Sequence, residues 1–407
     1  MLVNGKPTRT IWLEEDGWSV RVIDQRRLPH HFETLRLTTP GDAADAIREM
    51  VVRGAPLIGA TAAYGICLAL REDACNVALE QAIAELQATR PTAVNLRWAL
   101  ETMRDHLLPL PPGERAAAAY ARARQLCEDD VATNAAIGEH GMEVFRQIAE
   151  QREAAGRPVT RTNPLHVLTH CNAGWLGCVD WGTATAPMHL AAREGFPLHV
   201  WVDETRPRNQ GASLTTWELG QSGVDHTLIV DNAGGHLMQH GRVDLVLVGT
   251  DRVTATGDVC NKIGTYLKAL AAQDNGVPFY VGLPSSTIDW SVRDGVKEIP
   301  IEERAAREVT HLSGLIEAPE PTNSPYDSPL AAQAFAHEVG EVEPADSAAA
   351  LLAEAEGTTH EVRLCPAGTN ASNYGFDVTP ARLVTGLITE RGVVAADEEA
   401  LAKRFGK

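Results

Sequence analysis

The sequence predicts an α/β protein with a helical N-terminal domain followed by a doubly wound parallel-sheet domain. Three observations carry this. Apolar residues recur at helical spacing over the first third of the chain. Beyond residue 157, short β-rich runs alternate with helical stretches, the pattern of βαβ units. At 407 residues the chain also exceeds the roughly 250–300 residues at which a single core stops growing.

After a polar, hairpin-like opening, DAADAIREMVV places Ile47, Met50 and Val51 on one helical face, and Leu96, Leu100, Met103 and Leu107 repeat the spacing. Between them, PLIGATAAYGICLAL is apolar or small nearly all round, with Pro56 just inside its start, so it predicts a helix buried on every side. PLPPGE (109–114) interrupts the pattern, a polar helical stretch follows, and GRPVTRTNP (156–164) bars a continuous helix. The domain boundary is placed there, giving a helical domain over 1–156 and a sheet domain over 157–407.

The expected strands are LHVLTH, LHVWVDE, HTLIVDN, DLVLVGTD and PFYVGLP, starting at 165, 198, 226, 244 and 278. NKIGTYLKAL is expected to form a helix that Asn261 caps, with Lys262 projecting from its start. Residues 320–372, rich in Pro, Ala, Glu and Ser with one alanine-rich helical stretch at ADSAAALLAEAE, predict a surface excursion. FDVTPARLVTGLITERG then predicts a helix with Thr379 as N-cap, Pro380 at the first position and Gly392 ending it.

The net charge of −18 opposes nucleic acid and anionic lipid, and no Lys/Arg block offsets it. An anionic small molecule would have to be met by a few placed cations and backbone N–H groups. The opening residues lack the apolar core of a signal peptide, and no apolar run has the length of a membrane span, so a cytoplasmic protein is expected. The seven cysteines form no CxxC pair, which argues against a disulfide framework.

Ligands of open parallel sheets bind outside the carboxyl ends of the strands. The residues there are Cys171 in THCNAG, Asp203 and Glu204, Asp231, and Asp251 in GTDR. Position alone does not choose among Asp203, Asp231 and Asp251, since acids after strands also cap helices. Cys171 stands out over Cys178 because Asn172, Ala173 and Gly174 read as a turn that exposes the sulfur. Two segments suit phosphate: Arg53-Gly54-Ala55 at the start of the buried helix, and Asn261-Lys262. Gln210-Gly211 lies where strand turns to helix and suits a sugar hydroxyl. Arg97 lies beside an apolar stripe, where a surface role is usual. His236 and His240 are four apart, but no zincin-type pattern accompanies them, and no metal site is expected. No Walker motif or GxGxxG points to a nucleotide.

In this order, RGAP, THCNAG, DETRPRNQGA, GTDRV, GDVCNKIGTY and FDVTPA resemble the S-methyl-5-thioribose-1-phosphate isomerase family over most of the chain. The resemblance implies a Rossmann-like C-terminal domain, a homodimer, and aldose–ketose isomerisation in methionine salvage with no cofactor. It implies Cys171 as the transition-state-stabilising residue and Asp251 as proton donor. It also implies Arg53, Gly54, Ala55, Arg97, Gln210, Asn261 and Lys262 as substrate-binding positions. GTDR stands where the family more usually has GADR, and the 320–372 stretch is longer than typical. The alternatives are a ribose-1,5-bisphosphate isomerase, a non-catalytic subunit related to the translation-initiation guanine-nucleotide exchange factor, and a hydrolase pairing Cys171 with His170.

Overall fold

Asn4 and Gly5, both with positive φ, turn a short hairpin between β1 (Leu2–Val3) and β2 (Lys6–Pro7) in a computed structural model that describes residues 1–91, 93–316 and 357–406. An antiparallel sheet follows, of β3 (Ile11–Leu13), β4 (Val20–Ile23) and β5 (Thr34–Leu37). The helical layer begins with α1 (Pro40–Arg48), closed by a capping box between Thr39 and Asp42. Around α2 (Ala55–Glu72) pack α1, α3 (Asn76–Thr89), α4 (Val94–Leu107) and the 43-residue α5 (Pro112–Ala154). Every residue of α2 from Leu57 to Leu70 is buried, as its all-round apolar sequence predicts.

The main sheet has the order β18-β17-β12-β9-β6-β7-β8. Its strands are β6 (Leu165–Thr169), β7 (Leu198–Asp203), β8 (His226–Ile229), β9 (Leu245–Val248), β12 (Phe279–Gly282), β17 (Gly386–Thr389) and β18 (Gly392–Val394). All pairs are parallel except β17–β18. The five strands expected from sequence are β6, β7, β8, β9 and β12. One side of the sheet packs Val167, Val200 and Leu245 against Ile137 and Phe145 of α5 and Met188 of α6 (Ala186–Glu194). On the other side, Leu168, Val246 and Val248 meet Leu237 of α8 (Ala233–Gln239) and Ala269 of α9 (Thr265–Asp274). The helix α7 (Thr216–Gln221) connects β7 to β8. Helices on both faces make the sheet doubly wound. Because β6 pairs with both β7 and β9, the strand order reverses between β6 and β9, which opens a crevice at their carboxyl ends.

Two local expectations are corrected. The segment Val259–Lys262 is not the start of a helix: it is β11, fully buried and paired antiparallel with β10 (Arg252–Thr254) and β16 (Phe376–Thr379), while β10 also pairs with β13 (Ile288–Asp289). The helix α9 starts only at Thr265, after Gly264 at φ 102°. Residues 379–391 likewise form no continuous helix. Thr379 ends β16, Ala381–Leu383 make a single 3-10 turn, and Gly386–Thr389 enter the main sheet as β17 beside β12. Four consecutive buried residues gain more from completing the sheet than from the local capping cues.

Contacts gather Met1–Glu303 with Tyr374–Lys407 into one unit and Arg304–Asn373 into a second. The boundary proposed at 156/157 falls between α5 and β6. In the second unit, β14 (His311–Leu315) pairs antiparallel with β15 (Thr359–Arg363), so the expected excursion contains a strand. The ADSAAALLAEAE stretch lies outside the described residues.

Candidate active site

Cys171 leaves β6 in a left-handed conformation, φ 67°, which is costly for a residue with a side chain and persists only where the surroundings hold it. They do so through the backbone. The Cys171 N–H donates to Thr205 Oγ1 at 2.8 Å, and its carbonyl accepts from Thr215 Oγ1 at 2.7 Å. The next residue, Asn172, accepts from Arg53 twice, at Oδ1 and, at 2.6 Å, at its carbonyl oxygen. Gly54, the N-cap of α2, has φ 93°, and a Cβ there would stand 2.4 Å from the Cα of Gly177. Only glycine lets the α2 N-terminus approach the 172–177 turn this closely.

On the other side of the crevice, Asp251 follows β9. Its N–H donates to the Cys260 carbonyl at 3.0 Å, and Thr250 Oγ1 donates to the same oxygen at 2.7 Å. The β10–β11 hairpin thereby sets Asp251 beside the strand that carries Asn261 and Lys262. Lys262 Nζ donates to the Gly375 carbonyl at 2.8 Å and lies 4.8 Å from the centre of the Phe376 ring. Asn261 Nδ2 donates to Thr265 Oγ1 at 3.0 Å.

A cleft of about 710 Å³, open solvent included, brings together Arg53, Gly54, Ala55, Cys171, Gln210, Asp251, Asn261 and Lys262. Gln210 Oε1 is buried there with no hydrogen-bond partner among the described residues, an acceptor suited to a ligand hydroxyl. Burial raises the Asp251 carboxyl above its ordinary value, while Lys262, Arg90 and Arg53 pull it down and Glu302 pushes it further up. Burial also raises the Cys171 thiol above its ordinary 9.0, against the pull of Arg53 and Lys262, so at neutral pH it is a thiol rather than a thiolate.

Arg97 does not line this cleft. It is 47% exposed, and its guanidinium lies 3.5 Å from Asp289. Arg90 lines the cleft instead, paired with Glu302 at 3.1 Å. Its only sequence cue was its place at the end of a helix before Pro91, which says nothing of a ligand. Asp203 and Asp231 belong to a separate network. Asp203 Oδ2 lies 2.8 Å from Lys268 Nζ and 3.1 Å from His170 Nδ1, and Asp231 accepts the N–H groups of Thr205 and Arg206. Ligand atoms of His170, Asp203 and Asp231 fall within 4.8 Å of one another, but the Lys268 ammonium already supplies the cation there. Since His170 Nε2 contacts the Ile263 carbonyl at 2.8 Å, both ring nitrogens are engaged away from Cys171, which removes the Cys–His hydrolase pairing. Cys178 is buried, with its sulfur 3.7 Å from Asn134 Oδ1.

The profile of the Initiation factor 2 subunit family matches residues 51–396. A methylthioribose-1-phosphate isomerase of Paramagnetospirillum magneticum is 57% identical over 405 residues, covering 100% of this chain and 99% of the relative. Among solved structures, the 5-methylthioribose 1-phosphate isomerase from Pyrococcus horikoshii superposes with a TM-score of 0.75 at 34% identity, over 98% of this chain and 96% of that one. A structure described as translation initiation factor eIF-2B, subunit delta, from A. fulgidus gives 0.72 at 33% identity, over 98% and 100%. The chain belongs to the Initiation factor 2 subunit family and, within it, to the methylthioribose-1-phosphate isomerases.

Proposed function

We infer that this protein is an aldose–ketose isomerase of methionine salvage that converts 5-methylthioribose 1-phosphate to 5-methylthioribulose 1-phosphate. The observation that carries this is full-length identity of 57% to a methylthioribose-1-phosphate isomerase, combined with one cleft that gathers the thiol, the carboxyl and the cations.

A sugar whose C1 oxygen carries phosphate has no free aldehyde to open to. The ring C–O bond must break with a proton delivered to the ring oxygen, and hydrogen must then pass from C2 to C1. We assign the first proton to Asp251, because a carboxyl raised by burial keeps its proton nearer neutral pH. Cys171, held neutral beside two cations, steadies the charge that develops at C1 and C2, and the C2 hydroxyl gives its proton back to the Asp251 carboxylate as C2 becomes the ketone. Arg53, the α2 N-terminus at Gly54 and Ala55, Asn261 and Lys262 form the phosphate site, with Arg90 added. Gln210 Oε1 takes a sugar hydroxyl. Arg97 joins the substrate site in this reading only by leaving Asp289 for the anion.

We further propose a cytoplasmic homodimer that binds neither nucleic acid nor membrane. In support, the net charge is −18, and no helix among the described residues is long and apolar enough to cross a membrane. The likeness to the A. fulgidus factor supports a second, regulatory reading. Such a subunit needs no catalytic pair, whereas here Cys171 and Asp251 both face one cleft.

The test is a side-by-side assay of 5-methylthioribose 1-phosphate and ribose 1,5-bisphosphate, following aldose-to-ketose conversion. A second phosphate needs a second set of donors to offset its desolvation, so kcat/KM should favour the methylthio sugar by at least tenfold, about 1.4 kcal/mol. Preference for the bisphosphate would overturn the substrate, and no conversion of either would support the regulatory reading.

A further inference from the structure

An asparagine amide presents one acceptor oxygen and one double donor, so its neighbours decide which side faces a cation. The Nδ2 of Asn172 donates to Thr215 Oγ1 at 3.2 Å and to Glu218 Oε2 at 3.1 Å. The Thr215 hydroxyl has already committed its proton to the Cys171 carbonyl, so it can only accept from Asn172. The carboxylate of Glu218 can only accept. Together they leave Asn172 Oδ1 facing Arg53, where it and the Asn172 carbonyl bind the guanidinium at two points.

Glu218 lies on α7, 46 residues from Asn172 in sequence, and is 1% exposed. Its Oε2 also accepts the Leu176 N–H at 3.2 Å. A Cβ on Gly174 would fall 1.6 Å from its Oε1, so the carboxylate packs directly on the backbone of the turn that carries Cys171. Its Oε1 is buried without a hydrogen-bond partner among the described residues and lies 3.7 Å from His189 Nε2.

We propose that Glu218 is a positioning residue for substrate binding: through the Asn172 amide it holds the Arg53 guanidinium in the orientation that receives the phosphate. Without an acceptor at Glu218, the Asn172 amide has one fewer constraint on its direction. A flipped amide turns NH₂ toward the guanidinium and repels it. The inference rests on the reading of Arg53 as a phosphate ligand. It adds a charged residue that never meets the substrate.

The experiment measures KM and kcat for 5-methylthioribose 1-phosphate in Glu218→Leu, Glu218→Gln, Arg53→Ala and the double variant Glu218→Leu/Arg53→Ala. Arg53→Ala should raise KM by about tenfold or more, and Glu218→Leu by about fivefold with kcat within about twofold. Glu218→Gln, which keeps an acceptor for Asn172 and Leu176, should hold KM within about twofold of the parent. In the double variant KM should match that of Arg53→Ala alone, because Glu218 has nothing left to position. If Arg53→Ala raises KM while Glu218→Leu leaves it unchanged, or if the two effects multiply, the positioning role is overturned and the phosphate site stands. If Arg53→Ala itself leaves KM unchanged, the phosphate assignment fails first. Should Glu218→Leu not yield folded protein, Asn172→Ala replaces it: a KM rise that vanishes in the Arg53→Ala background supports the relay, and any other result overturns it.

Discussion

The backbone N–H of Asp251 donates to the carbonyl oxygen of Cys260 at 3.0 Å, a main-chain bond that holds the residue where its carboxyl lines the cleft. A substitution that preserves side-chain shape should therefore leave the residue where it is. Asp251→Asn removes the titratable proton and should lower kcat by about 10²–10⁴-fold, with KM changed only a few-fold. Cys171→Ala should show the same split. Steady-state kinetics check both, and a rise confined to KM would make either residue a binding group.

The second prediction concerns pH. Arg90 pulls the Asp251 carboxyl down and Glu302, its partner at 3.1 Å, pushes it up. Arg90→Met removes the downward pull while the upward push of Glu302 stays, so the carboxyl rises further. Only protonated Asp251 can donate, so activity falls as pH rises through its pKa. The alkaline limb of the kcat/KM profile should accordingly move to higher pH in Arg90→Met and to lower pH in Glu302→Gln. A profile that moves the opposite way would remove Asp251 from the donor role.

Stability offers a third test, away from the cleft. Asp130 accepts the Val179 N–H at 2.8 Å, and burial pushes its carboxyl to about 7 from an ordinary 3.8. Between those two values the unfolded chain loses the proton while the folded protein keeps it. The folded state then binds more protons, and this group's contribution to stability falls as pH rises from about 4 to about 7. Asp130→Asn keeps an acceptor for Val179 and does not titrate. The Tm of the variant minus that of the parent should therefore increase across this window. A difference that is flat or decreasing would show that Asp130 is ionised in the fold.

The strands β6, β7, β9 and β12 were legible because strands covered on both faces are mostly apolar, and the half-exposed edge strand β8 was legible from its short β-branched run. The helix α2 was legible because it is apolar all round. Misreadings came where a short apolar run has no period of its own. Gly386–Thr389 is only four residues long, and Thr379 and Pro380 before it mimic a helix start while Gly392 after it mimics a helix end; pairing with β12 decides the matter. Likewise Asn261 and Lys262 look like a helix start, but burial of all four residues of β11 against β16 makes them strand.

By itself the sequence determined the α/β class, the strand-end position of Cys171, the RGAP turn at Arg53 and, through the joint motifs, the family. These depend on local pattern: strand periodicity, turn chemistry, and a glycine where two backbones meet. Strand-end position left Asp251, Asp203 and Asp231 alike and the GTDR motif pointed to Asp251; the tertiary structure supplied the physical difference, since all three follow strands and differ only in what folds against them. Asp203 meets Lys268, Asp231 meets two backbone N–H groups, and Asp251 meets the cleft. It alone brought in Arg90 and Glu218 and set Arg97 against Asp289. The physical reason is the reversal of strand order between β6 and β9, which joins side chains from distant segments into one electrostatic environment that no local window contains.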